Sequence, residues 1–333
     1  MNKQPPPFCI QVELTEGCNL ACSFCGIAGI RENGANGPEN ITGKRSSPYK
    51  YLSYTSARIL AKKIKQAREE NKWNPRIEMA MHGEPTLNPE YKEIVKLFRL
   101  HLPDTPLQMT SNGGGLLRGN LTENINELLT NGLNVLLLDN YERIKICDKV
   151  KEKYDGPFSI FEYPLNKKAN PHRRRKPQQH EIVIVQDIES ASQGNHATLN
   201  NHAGSAFPLN DRGQDKRCAK VFREMSVRWD GNVAICCNDW RGSYKCGNAL
   251  TDKSLEELWQ NPRFTASRNK LYNGQRDFGP CDGCDAKSYR PGLLPDAKGL
   301  EECPEPTKVD LAHIEKALSG DSYTKAVMRP WEK

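Results

Sequence analysis

Nothing in the 333 residues approaches the ~20 consecutive apolar positions that a bilayer-crossing helix requires. Hydrophobic residues make up 37% of the chain, and the first seven, Met1-Asn2-Lys3-Gln4-Pro5-Pro6-Pro7, lack the apolar core of a secretory signal. With a span and an export signal excluded, we expect a soluble protein without a membrane partner. Its place is the cytoplasm, or the host cytoplasm if the chain is viral. Charge of one sign is not in large excess either. A net +7 permits a nucleic acid or another anionic partner without requiring one. What the chain has in quantity is cysteine, 12 residues. Disulfides are rare in reducing compartments, so thiols in this number point to metal binding.

Three thiols fall in Cys18-Asn19-Leu20-Ala21-Cys22-Ser23-Phe24-Cys25, directly after the apolar run Phe8 to Leu14. A run that short and that β-prone reads as a buried strand, which places the thiols on the loop leaving its C-terminal end. Fe–S clusters are typically held by four thiolates, and three closely spaced ones leave one iron open to a small molecule. Zinc is the competing reading. Zinc sites usually join C-x2-4-C to a second pair of Cys or His ligands, and this loop carries no fourth ligand.

Downstream, residues 26–51 have loop composition. The spacing of Ala57, Ile59, Leu60, Ile64 and Ala67 then predicts a helix capped by Ser53 or Thr55. Strands are predicted at 76–81, 107–110, 135–138, 158–161 and 182–185, and helices at 91–102, 125–129 and 144–153. Strands alternating with helices imply βαβ units and a parallel sheet. Six strands suit an incomplete (β/α)6 barrel, whose reactive end is where the C-terminal ends of the strands meet. Two further motifs fall there, His82-Gly83-Glu84-Pro85 and Ser111-Asn112-Gly113. Residues 166–179 are polar and basic where the last helix is due, and 187–213 read as a linker.

From Cys218 the pattern changes. Met225 to Trp229 alternates, Asp230-Gly231 is a strong hairpin turn, and Asn232 to Cys236 returns. Cys237, Cys246-Gly247-Asn248, a helix at 254–259, a second at 264–271 and Cys281-x2-Cys284 complete the segment. Cys237 should face away from Cys236 on the strand. Cys9 and Cys147 read as buried apolar residues, whereas Cys246 and Cys303 stay ambiguous.

The Cys-x3-Cys-x2-Cys spacing, with Phe24 before the third thiol, resembles the radical S-adenosylmethionine (SAM) superfamily. That resemblance implies a 4Fe–4S cluster on Cys18, Cys22 and Cys25 whose open iron binds SAM. An electron from the cluster would then yield a 5′-deoxyadenosyl radical that takes a hydrogen atom from substrate. It also implies that Gly83, Glu84 and Pro85 hold the SAM amino group, Ser111 and Asn112 its ribose and carboxylate, and Phe24 packs near its adenine. His82 stands where the family usually has a first Gly. The segment from Cys218 to Asp285 resembles the SPASM or twitch extension, which implies an auxiliary 4Fe–4S cluster. Its expected ligands are Cys218, Cys236, Cys281 and Cys284, with Cys237 in reserve. The dense central C-x2-C-x5-C run of the full pattern is absent, so one auxiliary cluster is expected rather than two. The division implied is a radical SAM core over 1–187, a linker over 188–217, a small α+β, cysteine-rich SPASM-like domain over 218–303 and a tail over 304–333.

The expected activity is reductive SAM cleavage followed by modification or isomerisation of an amino-acid-type group. One substrate class is a nucleic-acid base, as in viral DNA hypermodification, with the basic run containing Arg173, Arg174 and Arg175 available for phosphates. The other is a peptide or protein, against which stands the lack of a leader-recognition segment before the first thiol. An electron donor such as flavodoxin or ferredoxin is the implied partner. A nucleic-acid-binding protein stabilised by zinc is the rival of another class.

Overall fold

The computed structural model describes residues 4–20, 22, 24–27, 49–163, 180–186, 201–206, 218 and 220–286. Cys303, Arg173, Arg174, Arg175 and the tail over 304–333 lie outside the described residues.

The strands are β1 (Cys9–Val12), β2 (Thr15–Glu16), β3 (Lys50–Tyr51), β4 (Arg76–Glu78), β5 (Leu107–Ser111), β6 (Val135–Asp139), β7 (Ser159–Glu162), β8 (Glu181–Val185), β9 (Glu224–Val227), β10 (Asn232–Ala234) and β11 (Lys245–Asn248). Helices are α1 (Tyr54–Asn71), α2 (Tyr91–His101), α3 (Leu121–Thr130), α4 (Ile146–Lys153), α5 (Lys220–Arg223), α6 (Leu255–Trp259) and α7 (Pro262–Tyr272). Ser53 caps α1, accepting from Ser56 N, a contact worth about 1 kcal/mol. The buried stripe of α1 is Ala57, Leu60, Ala61, Ile64 and Ala67. Ile59, expected in that stripe, is exposed, because it falls off the face that α1 presents to the sheet.

Among the described residues one nine-stranded sheet runs β11-β10-β9-β1-β4-β5-β6-β8-β7. The six expected parallel strands are β1, β4, β5, β6, β7 and β8. Their order departs from simple succession. β8 pairs with β6, and β7 lies outside it at the edge. A second departure is at β1, whose other neighbour is β9, parallel and in register from Cys9↔Glu224 to Val12↔Val227. The C-terminal hairpin, with the additional strand β11, therefore continues the core sheet. Residues 201–206 of the expected linker are docked as well. Asn201 N donates to Asp285 Oδ1 at 2.6 Å, and Asn201 Nδ2 donates to the Gly283 carbonyl at 2.7 Å.

A parallel sheet covered on both faces by helices reads as continuous apolar strands; this one alternates. Ile10, Val12, Ile77, Met109, Leu136 and Leu138 join the helix-packed core, where each full burial of such a chain contributes roughly 1.5–3 kcal/mol. Between them Gln11, Glu13, Glu78, Thr110 and Ser226 are carried on the opposite, inner face, where Ser226 bonds Gln11 and Thr110 bonds Glu78, each at 3.0 Å. Along β1, β4, β5 and β9 the inner face is thus polar and its charges need partners, whereas Leu137, Val183 and Val185 with Tyr163 make it apolar at β6 and β8.

The largest such group joins β9 to the end of β1. Arg228 pairs with Glu16 and lies 3.8 Å from Glu13, while Lys50 reaches Glu16 at 2.8 Å. Burial alone would raise the Glu16 carboxyl, but Arg228 and Lys50 more than offset it and hold the group below the usual carboxylate range. A folded-state pKa below the unfolded value of 4.5 contributes stability above that pH, and the contribution is lost on acidification below it. Arg228→Ala is expected to cost about 1–3 kcal/mol, because Glu16 would be left with Lys50 and Glu13 with His82 and Trp229 N. Thermal melts across pH 3–7 should show the acid-side loss of Tm below about 4.5 shrinking in that variant. An unchanged melting profile would remove this network from the account.

Candidate functional site

The thiol loop is built by turns and stitched to its neighbours. Cys25 N donates to the Cys22 carbonyl at 3.1 Å, closing the turn that carries both thiols. The Cys18 sulfur accepts from Leu20 N at 3.4 Å and from Asn112 Nδ2 at 3.3 Å, and Asn112 Nδ2 also donates to Asn19 Oδ1 at 3.0 Å. Gly17 bridges Gly83, and Glu84 N donates to the Gly17 carbonyl at 3.0 Å. The motifs that follow β1, β4 and β5 therefore meet at one place.

Glu84 holds that place together. Oε1 accepts from Thr86 N at 3.0 Å, Thr86 Oγ1 at 2.5 Å and Ser111 Oγ at 2.6 Å, while Oε2 accepts from Asn112 N at 2.6 Å. The Glu84 carboxylate, expected to hold the SAM amino group, accepts from four protein donors, three on Oε1 and one on Oε2. Ser111, read as a ribose contact, is buried and gives its hydroxyl to Glu84 while accepting from Gly113 N. Both act as supports that fix the Gly83 backbone and the Asn112 side chain. Charge-assisted bonds are the strong ones, so a buried carboxylate with four donors makes a rigid hub. Pro85 opens the single 3-10 turn after Glu84, where it needs no N–H.

Two groups at this end escaped the sequence analysis. Asp139, the last residue of β6, makes no side-chain hydrogen bond or ion pair among the described residues, and burial with the Glu84 and Glu78 charges pushes its carboxyl up to about 7. Tyr141 stacks on Phe24, rings parallel within 9° and centroids 6.5 Å apart. An acidic residue ending the apolar run Val135-Leu136-Leu137-Leu138 was the available signal for Asp139. Tyr141 gave none, being one aromatic in a turn.

The thiols fit an iron cluster by their chemistry. Burial, the Glu84 charge, Cys25 and Cys22 all push the Cys18 thiol well above its ordinary range. A bound cation would hold such thiols as thiolates, although among the described residues no three ligand side chains are drawn together tightly enough to hold an ion. The second set has the same character: Cys236 is raised by burial, Cys237, Cys281 and Cys284, and Cys281 by burial, Cys218 and Cys284. Burial likewise pushes Cys284 up to about 11, with Cys218 adding to the rise. These four thiols, delivered by the segment two residues ahead of α5, the stretch just after β10 and the loop after α7, lie close enough to feel one another's charge. Arg276 opposes it, donating to the Cys284 carbonyl at 3.1 Å. Cys237 is turned elsewhere, 3.4 Å from Lys220 Nζ and 3.9 Å from Glu224. Cys246 is buried on β11, and Cys147 is buried in the core. Cys9 is buried too, but it faces Arg76 rather than apolar neighbours.

The family model described as the radical SAM superfamily matches residues 12–139, and an iron–sulfur cluster-binding domain, SPASM, matches residues 218–285. The latter spans all four auxiliary thiols and displaces the zinc reading for them. The crystal structure of BtrN in complex with AdoMet and 2-DOIA superposes with a TM-score of 0.60 at 19% identity, covering 88% of this chain and 98% of that one. A selenomethionine BtrN structure in an open conformation gives 0.53 at 17% identity, covering 85% and 94%. Streptococcus suis SuiB bound to S-adenosylmethionine gives 0.41 at 12% identity, covering 97% and 77%. No curated protein sequence matches significantly. At these identities the two BtrN superpositions speak for the fold alone.

Proposed function

Because this chain belongs to the radical SAM superfamily and carries a SPASM-type iron–sulfur domain, we propose that it acts on an amino-acid-type group bearing a free amine, modifying or isomerising it. The observation that carries this reading is Asp139, a carboxyl half-buried at the C-terminal end of β6, beside the SAM end of the sheet. Its charged surroundings are carboxylates, so the group that suits it is a cation.

When bound, the 4Fe–4S cluster and SAM supply a 5′-deoxyadenosyl radical for hydrogen abstraction. The chain's part is to hold and orient. Cys18, Cys22 and Cys25 carry the cluster; Asn112 steadies Cys18; Phe24 and Tyr141 wall one side; Asp139 receives the substrate ammonium. The polar groups on the inner face of β1, β4 and β5 favour a substrate with several polar groups, and BtrN, similar in fold, is a protein found in complex with AdoMet and 2-DOIA. A nucleic-acid base carrying the amino-acid group is the carrier that suits the net +7 charge. Flavodoxin or ferredoxin is the proposed electron donor.

The test uses anaerobically loaded enzyme, SAM and reductant with amino-acid adducts of pyrimidine nucleotides, and in parallel with peptides. Each is offered with a free and an acetylated amine, deuterated beside the amine. We expect deuterium in 5′-deoxyadenosine from the free amine only. Turnover at limiting substrate should rise as pH passes about 7, since Asp139 pairs with an ammonium only when ionised. Asp139→Asn should flatten that rise and lower activity on the free amine by about 10- to 100-fold. Equal use of the acetylated compound would overturn the reading, and label transfer from peptides alone would move the carrier to peptide.

A further inference from the structure

The radical SAM loop and the auxiliary cluster unit touch through Trp240. Its indole lies flat on Gly26, the residue after the third cluster thiol: a Cβ added there would sit 2.6 Å from Trp240 Cδ2 and Cε2. Cys25 and Ile27 pack on the same indole. The ring's other neighbours are His82, with centroids 4.7 Å apart, and His202, edge-on at 5.4 Å and accepting from Trp240 Nε1 at 3.1 Å. His82 in turn lies 2.9 Å from Glu13 through Nδ1 and 2.8 Å from the Cys237 carbonyl through Nε2. Cys237 follows the auxiliary thiol Cys236, and Asp239 N donates to the Cys236 carbonyl in the turn that delivers Trp240. Every part of this chain of contacts is buried or nearly so: His82 has no exposed surface and Trp240 has 6%.

Backbone closes both ends. The turn carrying Cys236 cannot shift without carrying Trp240, and the indole cannot shift without moving the Cys25–Ile27 segment, because Gly26 leaves no slack. His82, at a position where a glycine would leave the indole face bare, fills the gap between the two units.

We infer that Trp240, backed by His82, is a positioning residue through which the auxiliary site sets the geometry of the third cluster thiol and so the affinity for SAM. The inference rests on the two cluster sites and not on the substrate proposed above.

The test is SAM binding without turnover, followed by the electron paramagnetic resonance shift of the reduced radical SAM cluster in otherwise full-length protein. Trp240→Leu should keep iron at both sites yet weaken SAM by about tenfold. Trp240→Phe, which retains a ring on Gly26, should restore most of the affinity. Emptying the auxiliary site with Cys281→Ser and Cys284→Ser should weaken SAM similarly in the native background and add nothing in Trp240→Leu. By reciprocity, SAM should perturb the auxiliary cluster's spectrum in native protein and not in Trp240→Leu. Unchanged SAM affinity in Trp240→Leu, or effects of the two lesions that multiply, would overturn the inference. Should Trp240→Leu not fold, Gly26→Ala carries the same test from the loop side, since its methyl drives the loop off the indole while leaving the auxiliary unit's sequence intact.

Discussion

Cys18→Ala is expected to reduce 5′-deoxyadenosine formation to background while the protein stays folded and brown. The Cys18 sulfur is held by two donors, Leu20 N and Asn112 Nδ2. Its loss leaves two thiols on a loop that needs three, and the first cluster then has no stable seat. The auxiliary thiols are held by other elements, so iron and sulfide should fall by roughly half rather than to zero. Anaerobic reconstitution, iron counting and mass spectrometry of the product read all of this in one preparation. Product formation that survives the substitution would remove the Cys18/Cys22/Cys25 loop as the seat of SAM cleavage.

Gly83→Ala should damage the same site from the opposite side. A Cβ at Gly83 would lie 2.3 Å from the Thr15 carbonyl oxygen and 2.4 Å from that of Gly17. Both are backbone atoms, which have no rotamer to yield, so the β1–thiol loop must move away from the Glu84 turn. Overpacking of this kind typically costs about 1–3 kcal/mol. Because the Gly17–Gly83 bridge and the Glu84 N–Gly17 bond are what hold the loop, loss of iron at the first site and of SAM binding should accompany the fall in Tm. Gly283→Ala is the matched control: nothing lies within 4 Å of its Cβ, and a change within about 0.5 kcal/mol is expected. Equal tolerance at both positions would mean that the loop has freedom the structure does not show.

The sequence by itself determined the elements and the chemistry. Apolar alternation placed β1 and β5, and unbroken apolar runs placed β6 and β8, each to within a residue or two, because a strand with one polar face must alternate and one apolar on both faces does not. The turn at Asp230-Gly231 announced its hairpin, since only a glycine takes the φ of +81° found at Gly231 without strain. Thiols too many for a reducing compartment announced metal, and their spacing announced an iron left open.

Only the tertiary structure decided what long-range pairing controls. The swap of β7 and β8 and the joining of β9 to β1 leave no trace in local periodicity, which reports a strand's faces and not its neighbours. Glu84 and Ser111 read as separate motif residues in sequence, and packing joined them, because a buried carboxylate bonds the donors beside it. Asp139 owes its raised pKa first to burial and then to the charges of Glu84 and Glu78, 55 and 61 residues away along the chain. Trp240 looked like one more core aromatic until folding laid it on Gly26. Residue type and spacing select the chemistry that a chain can perform; which groups are left free to perform it is settled by the contacts that the rest have already made.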